Sequence, residues 1–359
     1  MSHPAPCAPR TGHANRARRL PRLGENFDTM TSATPLSPAQ RALHDLALWL
    51  QRQGYAFATV TPETQRRVGL RAQGRLAASL RDVFGWTLDF DPDLLPSDVL
   101  EKLRVAEALT MVAPGRVRSR VRFASMDGLP YLHSAHPTVE SDAVFCGPDT
   151  CRFVALIERE LERDPNVARV VDVGCGAGAG GLVAARWLRR HTGRAPRLLG
   201  VDVNPRAIAM ARVNAATFGH PEAAFQVGDL YRPATPGVDL IVANPPYLVD
   251  GRERLYRHGG GRFGAALSER IVREGLPLLA PGGRLVLYTG SAIEAGRDAF
   301  RDAVLRMVDP ARHDVRYREI DPDVFGEELE REPYRDAERI AAVGLVVRRT
   351  DEALAQGGA

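Results

Sequence analysis

Short apolar runs alternate with amphipathic segments from about residue 140 to residue 350, and this alternation is the clearest structural signal in the chain. A β-α-β-α order of this kind predicts a parallel sheet with right-handed crossover connections. Two later runs, at 314–318 and 340–347, follow a helix near 294–307 and predict a hairpin added to one edge of the sheet. The five runs predicted to form buried strands are Arg169–Val173, Leu198–Val201, Ala224–Val227, Leu240–Ala243 and Leu285–Tyr288.

The pattern before residue 136 differs and predicts a separate, smaller unit. A capping box over 37–40 starts a helix with leucines at helical spacing, which Gly54 can end. A second helix is predicted over 98–111. We therefore expect residues 37–135 to form an accessory, substrate-recognition domain, mainly helical with one hairpin, and residues 140–350 to form the second domain.

The predicted hairpin pairs Val117–Ala124 with Leu129–Ser134 around the turn Asp127-Gly128. One face of its first strand would carry four basic side chains, from Arg116, Arg118, Arg120 and Arg122. Such a row can guide a polyanion, and it is also typical of a solvated edge strand protected by charge. The sequence leaves both interpretations open.

Composition narrows the class of protein. Of the 359 residues, 44% are hydrophobic and 26% are charged, which is typical of a soluble globular chain. No apolar run is long enough to span a bilayer, so no membrane role is expected. Residues 1–36 are rich in Pro, Ala, Arg, Ser and Thr and are predicted to be a disordered basic tail. Residues 1–30 carry most of the net charge of +4, so the remainder is nearly neutral.

The four cysteines show neither a C-x-x-C pair nor the spacing of a metal site. We therefore expect no metal and a reducing, cytoplasmic setting.

The first chemical motif follows the first predicted strand. Gly174, Gly176 and Gly178 allow the backbone to turn tightly against a ligand before a helix begins. A glycine pattern alone is weak evidence for a ligand-binding loop, because glycine-rich turns also occur for purely structural reasons. Asp172 just before it disfavours a pyrophosphate and suits a ligand that carries an amino group.

Two acidic positions follow the next two strands. Asp202 ends its strand where a carboxylate can accept hydrogen bonds from ribose hydroxyls, and Asn204 caps the following helix. Asp229 is positioned to hold the amino group of an adenine, with Leu230 packing near the ring. Helix capping by Asp202 and a solvated loop position for Asp229 are the structural alternatives.

The sharpest motif is Asn244-Pro245-Pro246-Tyr247, directly after the fourth strand. The prolines fix the backbone and remove two amide donors, which leaves a rigid rim with carbonyl and carboxamide acceptors and an aromatic face. Hydrogen bonds from an N–H₂ group to Asn244 Oδ1 and the Pro245 carbonyl would let positive charge develop on nitrogen as it attacks a methyl donor.

Together these motifs resemble the class I S-adenosylmethionine-dependent methyltransferases, and among them the amino and amide N-methyltransferases with an Asn-Pro-Pro-Tyr motif. That group includes release-factor glutamine methyltransferases of the HemK type and nucleic-acid methyltransferases that modify adenine N6 or guanine N2. The resemblance covers roughly residues 140–348. It implies an α/β fold with a Rossmann-like seven-stranded sheet and S-adenosylmethionine as cofactor.

The resemblance also implies site residues. The cofactor would be bound by Asp172, Gly174, Gly176, Gly178, Asp202, Asn204, Asp229, Leu230 and Asn244, and the target nitrogen by Asn244, Pro245, Pro246 and Tyr247. Asp149 and Thr150 resemble positions close to the cofactor, in a segment that precedes the first core helix in HemK-like proteins.

Three features near the site match the family less well. The glycines at 259–261 and 264 are expected to form a lid, and His258 is either a substrate contact or a solvated or structural group. The acidic stretch 321–329 is either a solvated loop or a surface that repels a phosphate backbone.

We therefore expect an S-adenosylmethionine-dependent N-methyltransferase that acts on a planar amide or exocyclic amino nitrogen. A macromolecular substrate, either a protein glutamine or a nucleic-acid base, is favoured over a metabolite. A small-molecule methyltransferase and a non-catalytic cofactor-binding partner subunit are the alternatives. The sequence leaves the oligomeric state open.

Overall fold

The computed structural model describes residues 34–251 and 254–350. Most of the predicted basic tail, residues 1–33, therefore lies outside the described residues. The α-helices are α1 (Pro38–Arg52), α2 (Pro62–Arg71), α3 (Leu80–Phe84), α4 (Ser97–Val105), α5 (Pro148–Arg163), α6 (Ala179–Thr192), α7 (Pro205–Thr217), α8 (Ala266–Gly275) and α9 (Ala299–Met307).

The strands before α5 are β1 (Leu109–Ala113), β2 (Arg116–Ser119), β3 (Val121–Met126) and β4 (Leu129–Ser134). The later strands are β5 (Arg169–Val173), β6 (Arg197–Asp202), β7 (Ala224–Val227), β8 (Val238–Ala243), β9 (Leu279–Glu294), β10 (Arg297–Asp298), β11 (His313–Asp321) and β12 (Arg339–Arg349).

The predicted α/β fold with a Rossmann-like sheet and a smaller N-terminal part is confirmed. In the described residues the main sheet has the order β11-β12-β9-β8-β5-β6-β7, and the two-residue β10 pairs with β9. Strands β5 to β8 pair in parallel with their neighbours, and β8 pairs in parallel with β9. The β11–β12 hairpin is antiparallel and joins the sheet through β9, as the sequence predicts.

Two hydrophobic clusters cover the two faces of this sheet. One cluster contains Ile271, Val304 and alternate buried residues of the central strands, those on one face of the sheet. The other runs without interruption from Leu46 in α1 to Leu182 in α6 and Ala211 in α7. The N-terminal part therefore shares one continuous hydrophobic core with α6 and α7. Among the described residues, no helix combines the length and the apolar character needed to cross a membrane.

The helix predicted over 98–111 is wrong in its second half. Helix α4 ends at Val105, and Glu107 has a φ of +53°, which breaks the helical path. Residues from Leu109 onward form β1, which pairs with β2. The sequence places β-branched and polar residues close together here, and pairing with the neighbouring strand overrides the weak helical pattern.

The predicted single strand over 117–124 is also corrected. It divides at Arg120 into β2 and β3, and only β3 forms the hairpin with β4. The four arginines therefore do not share one solvated face. Arg118 pairs with Asp89 at 2.6 Å, Arg120 lies 3.7 Å from Glu140, and Arg122 is buried over the ring of Phe57.

Candidate active site at the carboxyl edge of the sheet

A cavity of about 380 Å³ lies at the carboxyl ends of β5 to β8. The loops that follow parallel strands meet at this edge, where open α/β folds bind ligands. The sequence-predicted residues that line it are Asp149, Thr150, Gly174, Gly176, Asp202, Asn204, Asp229, Leu230, Asn244, Pro245, Pro246 and Tyr247. Asp172 and Gly178 do not line the cavity.

The loop between β5 and α6 presents backbone to the cavity. Gly174 and Gly176 have φ values of +62° and +54°, in the left-handed region that favours glycine. The Gly176 N–H donates to Asp202 Oδ2 at 2.8 Å, so the loop is tied to the end of β6. Helix α6 begins at Ala179, directly after Gly178.

Asp172 lies beneath this loop. Its side chain is almost fully buried, and its Oδ2 accepts a hydrogen bond from the Gly181 N–H at 2.8 Å. Burial raises the pKa of Asp172 to about 7. Through this bond Asp172 supports the loop and the start of α6, and it does not line the cavity; its contact with a cofactor amino group stays a prediction.

Asp202 and Asn204 connect β6 to α7. Asp202 Oδ1 accepts from the Asn204 N–H at 2.8 Å, and burial raises the pKa of Asp202. Each carboxylate oxygen keeps a further acceptor site, so Asp202 retains capacity for ribose hydroxyls. The Asn204 side chain caps α7 by accepting from the Arg206 N–H and donates to the Asp142 carbonyl, so its contacts are structural.

Asp229 is engaged by a residue that the sequence analysis missed. Arg270 in α8 donates from Nη1 and Nη2 to the two carboxylate oxygens of Asp229, at 3.0 and 2.7 Å. These bonds lower the pKa of Asp229. Because both oxygens of Asp229 accept from the Arg270 guanidinium, fewer acceptor positions remain for an adenine amino group. Leu230 is buried at the cavity wall with a φ of +49°.

The rim predicted from the proline motif follows β8 as expected. Asn244 is half-buried and lines the cavity, and its side chain makes no hydrogen bond to any described residue. Tyr247 is only 8% exposed. A Cβ on Gly290 of β9 would lie 2.4 Å from Tyr247 Cδ2, so the ring packs directly on the β9 backbone.

Asp149 and Thr150 lie in the first turn of α5, because this helix already begins at Pro148. The segment predicted to precede the first core helix is therefore its start. Thr150 Oγ1 accepts from the Gly147 N–H at 3.3 Å. Asp149 accepts hydrogen bonds from the hydroxyls of Tyr247 and Tyr288, a contact that sequence spacing gives no means of predicting.

The glycine segment expected to be a lid instead supports the rim from behind. A Cβ on Gly259 would lie 2.0 Å from the Gly264 carbonyl oxygen and 2.6 Å from that of Pro246. A Cβ on Gly264 would lie 2.4 Å from the Tyr247 carbonyl oxygen. These approaches require glycine because backbone packs against backbone. Gly259 and Gly264 therefore pack tightly against the backbone of the rim and do not belong to a loose lid.

His258 is placed outside the cavity lining, where its Nδ1 accepts from the Asp250 N–H at 3.2 Å. The structure thus favours the structural interpretation of this residue. Arg254 binds Asp250 with a shortest distance of 2.6 Å, which holds the pKa of Asp250 well below its ordinary value.

The acidic stretch 321–329 is not a solvated loop throughout. Glu328 is fully buried and accepts a hydrogen bond from Arg257, and Asp321 pairs with Arg152 at 2.7 Å. Phe325 lines the cavity, with its ring centroid 5.9 Å from that of Tyr247. The loop therefore packs against the rim at Phe325, and two of its four carboxylates, those of Asp321 and Glu328, form internal ion pairs.

Among the described residues, no group of three or more His, Cys, Asp or Glu side chains could hold a metal ion.

Residues 138–305 match the family model "Methyltransferase small domain". A release factor glutamine methyltransferase of Geobacter sulfurreducens is 32% identical over 38% of this chain and 50% of its own length. A ribosomal RNA small subunit methyltransferase C of Alcanivorax borkumensis is 34% identical over 33% of this chain and 31% of its own length. A 4-amino-L-phenylalanine/4-methylamino-L-phenylalanine methyltransferase of Streptomyces pristinaespiralis is 30% identical over 38% of this chain and 49% of its own length.

The chain thus spans half or less of the length of each of these three relatives. The family match covers β5 to β8, whose carboxyl ends form the cavity, but not Pro62, His136, Pro137 and Phe325, which also line it. The matched domain and the names of the relatives support the expected class I S-adenosylmethionine-dependent methyltransferase, and two of the three relatives are named for macromolecular substrates.

Proposed function

We propose that the protein is an S-adenosylmethionine-dependent N-methyltransferase that modifies a planar amide or exocyclic amino nitrogen of a macromolecule. One observation carries the proposal: the Asn244 carboxamide lines the cavity and makes no hydrogen bond to any described residue, at the end of β8 and beside the glycine loop. A half-buried amide without a partner within the described fold suits a ligand group.

The described residues fit the proposed cofactor. Gly174 and Gly176 have no atom within 4 Å of a Cβ built on them, so the glycine loop faces open space. Asp202 offers acceptors for a ribose, and the exposed Val203 provides an apolar wall. We expect Asp229, held by Arg270, to contribute less to adenine binding than the sequence suggests.

When bound, the cofactor supplies an electrophilic methyl group on a sulfonium. The lone pair of an amide or aromatic amine is delocalised, so its nitrogen is a weak nucleophile. Asn244 Oδ1 and the Pro245 carbonyl would accept hydrogen bonds from the N–H groups and favour the geometry in which the lone pair is free to attack. Preorganised acceptors stabilise the positive charge that develops on nitrogen.

The macromolecular class of the substrate is part of the proposal, and a protein glutamine and a nucleic-acid base both fit it. The arginine row gives less support to nucleic acid than the sequence suggests, because Arg118 is ion-paired and Arg122 is buried. A small aromatic amine is the second candidate, favoured by the relative that acts on amino-phenylalanine. We place the enzyme in the cytoplasm on its cysteine pattern alone.

The test of the proposal compares Asn244→Ala with wild type, using Asn166→Ala in an exposed loop as the matched control. We expect the Asn244 variant to lose about 100-fold or more in turnover. The resemblance places Asn244 beside the cofactor as well, but the proposed function assigns its carboxamide to the acceptor nitrogen. The affinity for S-adenosylhomocysteine, measured by calorimetry, should therefore stay within about twofold of wild type. Undiminished turnover in Asn244→Ala would contradict the proposal.

The substrate class is tested separately by transfer of a labelled methyl group into a cell lysate. Label that is lost on protease treatment indicates a protein acceptor, and label that is lost on nuclease treatment indicates a nucleic acid. Label confined to the low-molecular-weight fraction would contradict the macromolecular part of the proposal.

A further inference from the structure

We infer that Asp149 is a positioning residue for the acceptor side of the site: its carboxylate fixes the ring of Tyr247 in the rim. This inference rests on the proposed function. It differs from the cofactor contact that the family resemblance implies for this position.

The contacts of Asp149 join three elements. Its Oδ2 accepts a hydrogen bond from the Tyr247 hydroxyl at 2.9 Å, and its Oδ1 accepts one from the Tyr288 hydroxyl at 2.7 Å. Arg152 also donates to Oδ1, at 3.0 Å. One carboxylate at the start of α5 thus links the rim after β8 to β9.

Burial makes this arrangement specific. The Asp149 side chain is 15% exposed, Tyr247 is 8% exposed and Tyr288 is fully buried. Burial raises the pKa of both tyrosines above the ordinary value, so each phenol stays protonated and donates. Moving either hydroxyl away from Asp149 would leave a buried donor without an acceptor, at the cost of its full desolvation free energy. This cost keeps both rings in place.

The Tyr247 ring needs this anchor because the neighbouring prolines fix only the backbone. Pro245 and Pro246 fix φ angles but leave the side-chain torsions of Tyr247 free. Gly290 and Phe325 provide apolar packing around the ring, and the Asp149 bond sets where the hydroxyl end points. The ring then forms a rigid wall beside the Asn244 acceptor, which a planar target group requires for an in-line approach.

The Asp149 carboxylate is itself held in place by Arg152. Arg152 donates from Nη2 to Asp321 at 2.7 Å while it contacts Asp149, so the guanidinium cannot swing away without breaking a second ion pair. Asp149 also lies in the first turn of α5, where the helix dipole favours a negative charge.

The experiment is a double-mutant cycle of Asp149→Asn and Tyr247→Phe, with steady-state kinetics for the acceptor and calorimetry with S-adenosylhomocysteine. Tyr317→Phe is the matched control, because the Tyr317 hydroxyl also donates to a carboxylate, that of Asp298, in a part-buried position away from the cavity. We expect each single variant at the site to lower kcat/KM for the acceptor about ten- to a hundredfold. The double variant should be no worse than the poorer single variant, and the control should keep the wild-type kcat/KM.

The cofactor affinity decides between positioning and direct binding. Positioning predicts that Asp149→Asn binds S-adenosylhomocysteine within about twofold of wild type. A tenfold or greater loss of that affinity, or additive effects in the cycle, would overturn the inference. The inference would also be overturned if the wild type is active and Asp149→Asn leaves kcat/KM unchanged. An inactive wild type would overturn the proposed function and this inference together, so the two failures are distinguishable.

Discussion

The carboxamide of Asn214 in α7 satisfies both backbone groups of Leu132 in β4. Its Oδ1 accepts from the Leu132 N–H at 2.8 Å, and its Nδ2 donates to the Leu132 carbonyl at 3.0 Å. The same Nδ2 donates to the Ala177 carbonyl in the glycine loop, also at 3.0 Å. One fully buried side chain therefore ties the N-terminal hairpin to the loop that lines the cavity.

Replacing Asn214 with alanine should destabilise the protein by roughly 3 kcal/mol or more, since it leaves three buried backbone groups without partners. We also expect weaker binding of S-adenosylhomocysteine, because the glycine loop loses an anchor. Urea unfolding and calorimetry measure the two effects. Gln40→Ala is the control: it removes a half-buried bond to the Ala209 carbonyl of α7 and the exposed capping-box bond from the Ser37 N–H, but leaves no fully buried group without a partner. An Asn214 variant as stable as the control would contradict this account.

Replacing Gly259 with alanine should disable methyl transfer while sparing the cofactor side of the cavity. The new Cβ would overlap the carbonyl oxygens of Gly264 and Pro246, so the rim must shift. Displacements of about 1 Å at a reacting centre can cost a hundredfold in rate.

Gly326→Ala is the matched control for Gly259→Ala, because a Cβ there meets no atom within 4 Å and its φ is not positive. Turnover and S-adenosylhomocysteine affinity of both variants provide the measurement. Wild-type turnover in Gly259→Ala would show that the segment is a loose lid after all.

The parallel core was predictable because its strands appear as short, mainly apolar runs, as expected for strands covered by helices. Arg169–Val173 and Ala224–Val227 were predicted with the same bounds that the structure has. The cap at Ser37 was predictable for a similar reason, since both hydrogen bonds of the capping box are local.

Contacts between distant segments were not predictable from one sequence. The pairing of Arg270 with Asp229, and of Tyr247 with Asp149, joins residues 41 and 98 positions apart. The prediction that four arginines share one strand face was wrong for the same reason. The partners of Arg122 and Arg118 are Gln65 and Asp89, which lie far away in the sequence. Periodicity reports which face is buried but not which partner a polar group finds there.

Replacing Asp202 with alanine should weaken S-adenosylhomocysteine binding about tenfold or more, because a carboxylate at this strand end is the expected ribose acceptor. The change also frees the Gly176 N–H, which adds disorder to the glycine loop. Asp229→Ala should have the smaller effect, because Arg270 already occupies that carboxylate. Calorimetry with both variants measures the difference, and the reverse order of affinities would contradict the assignment.

The last prediction concerns the pH dependence of stability. Burial raises the pKa of Asp172 from 3.8 to about 7 in the folded state, so between these pH values the folded chain binds a proton that the unfolded chain has lost. The free energy of unfolding must then fall as pH rises from about 4 to about 7. The slope from this group approaches about 1.4 kcal/mol per pH unit. Above pH 7 its contribution is flat.

The variant Asp172→Asn should remove this slope, since the amide is neutral at every pH and its oxygen can still accept from the Gly181 N–H. Urea unfolding at pH 5, 6, 7 and 8 gives the comparison, with Asp98→Asn as the control because Lys102 lowers the pKa of Asp98 below this window. Burial also raises the pKa of Asp202, so the wild-type curve contains both groups and only the difference between the curves reports Asp172. Parallel curves for wild type and Asp172→Asn would mean that Asp172 is ionised in the folded protein.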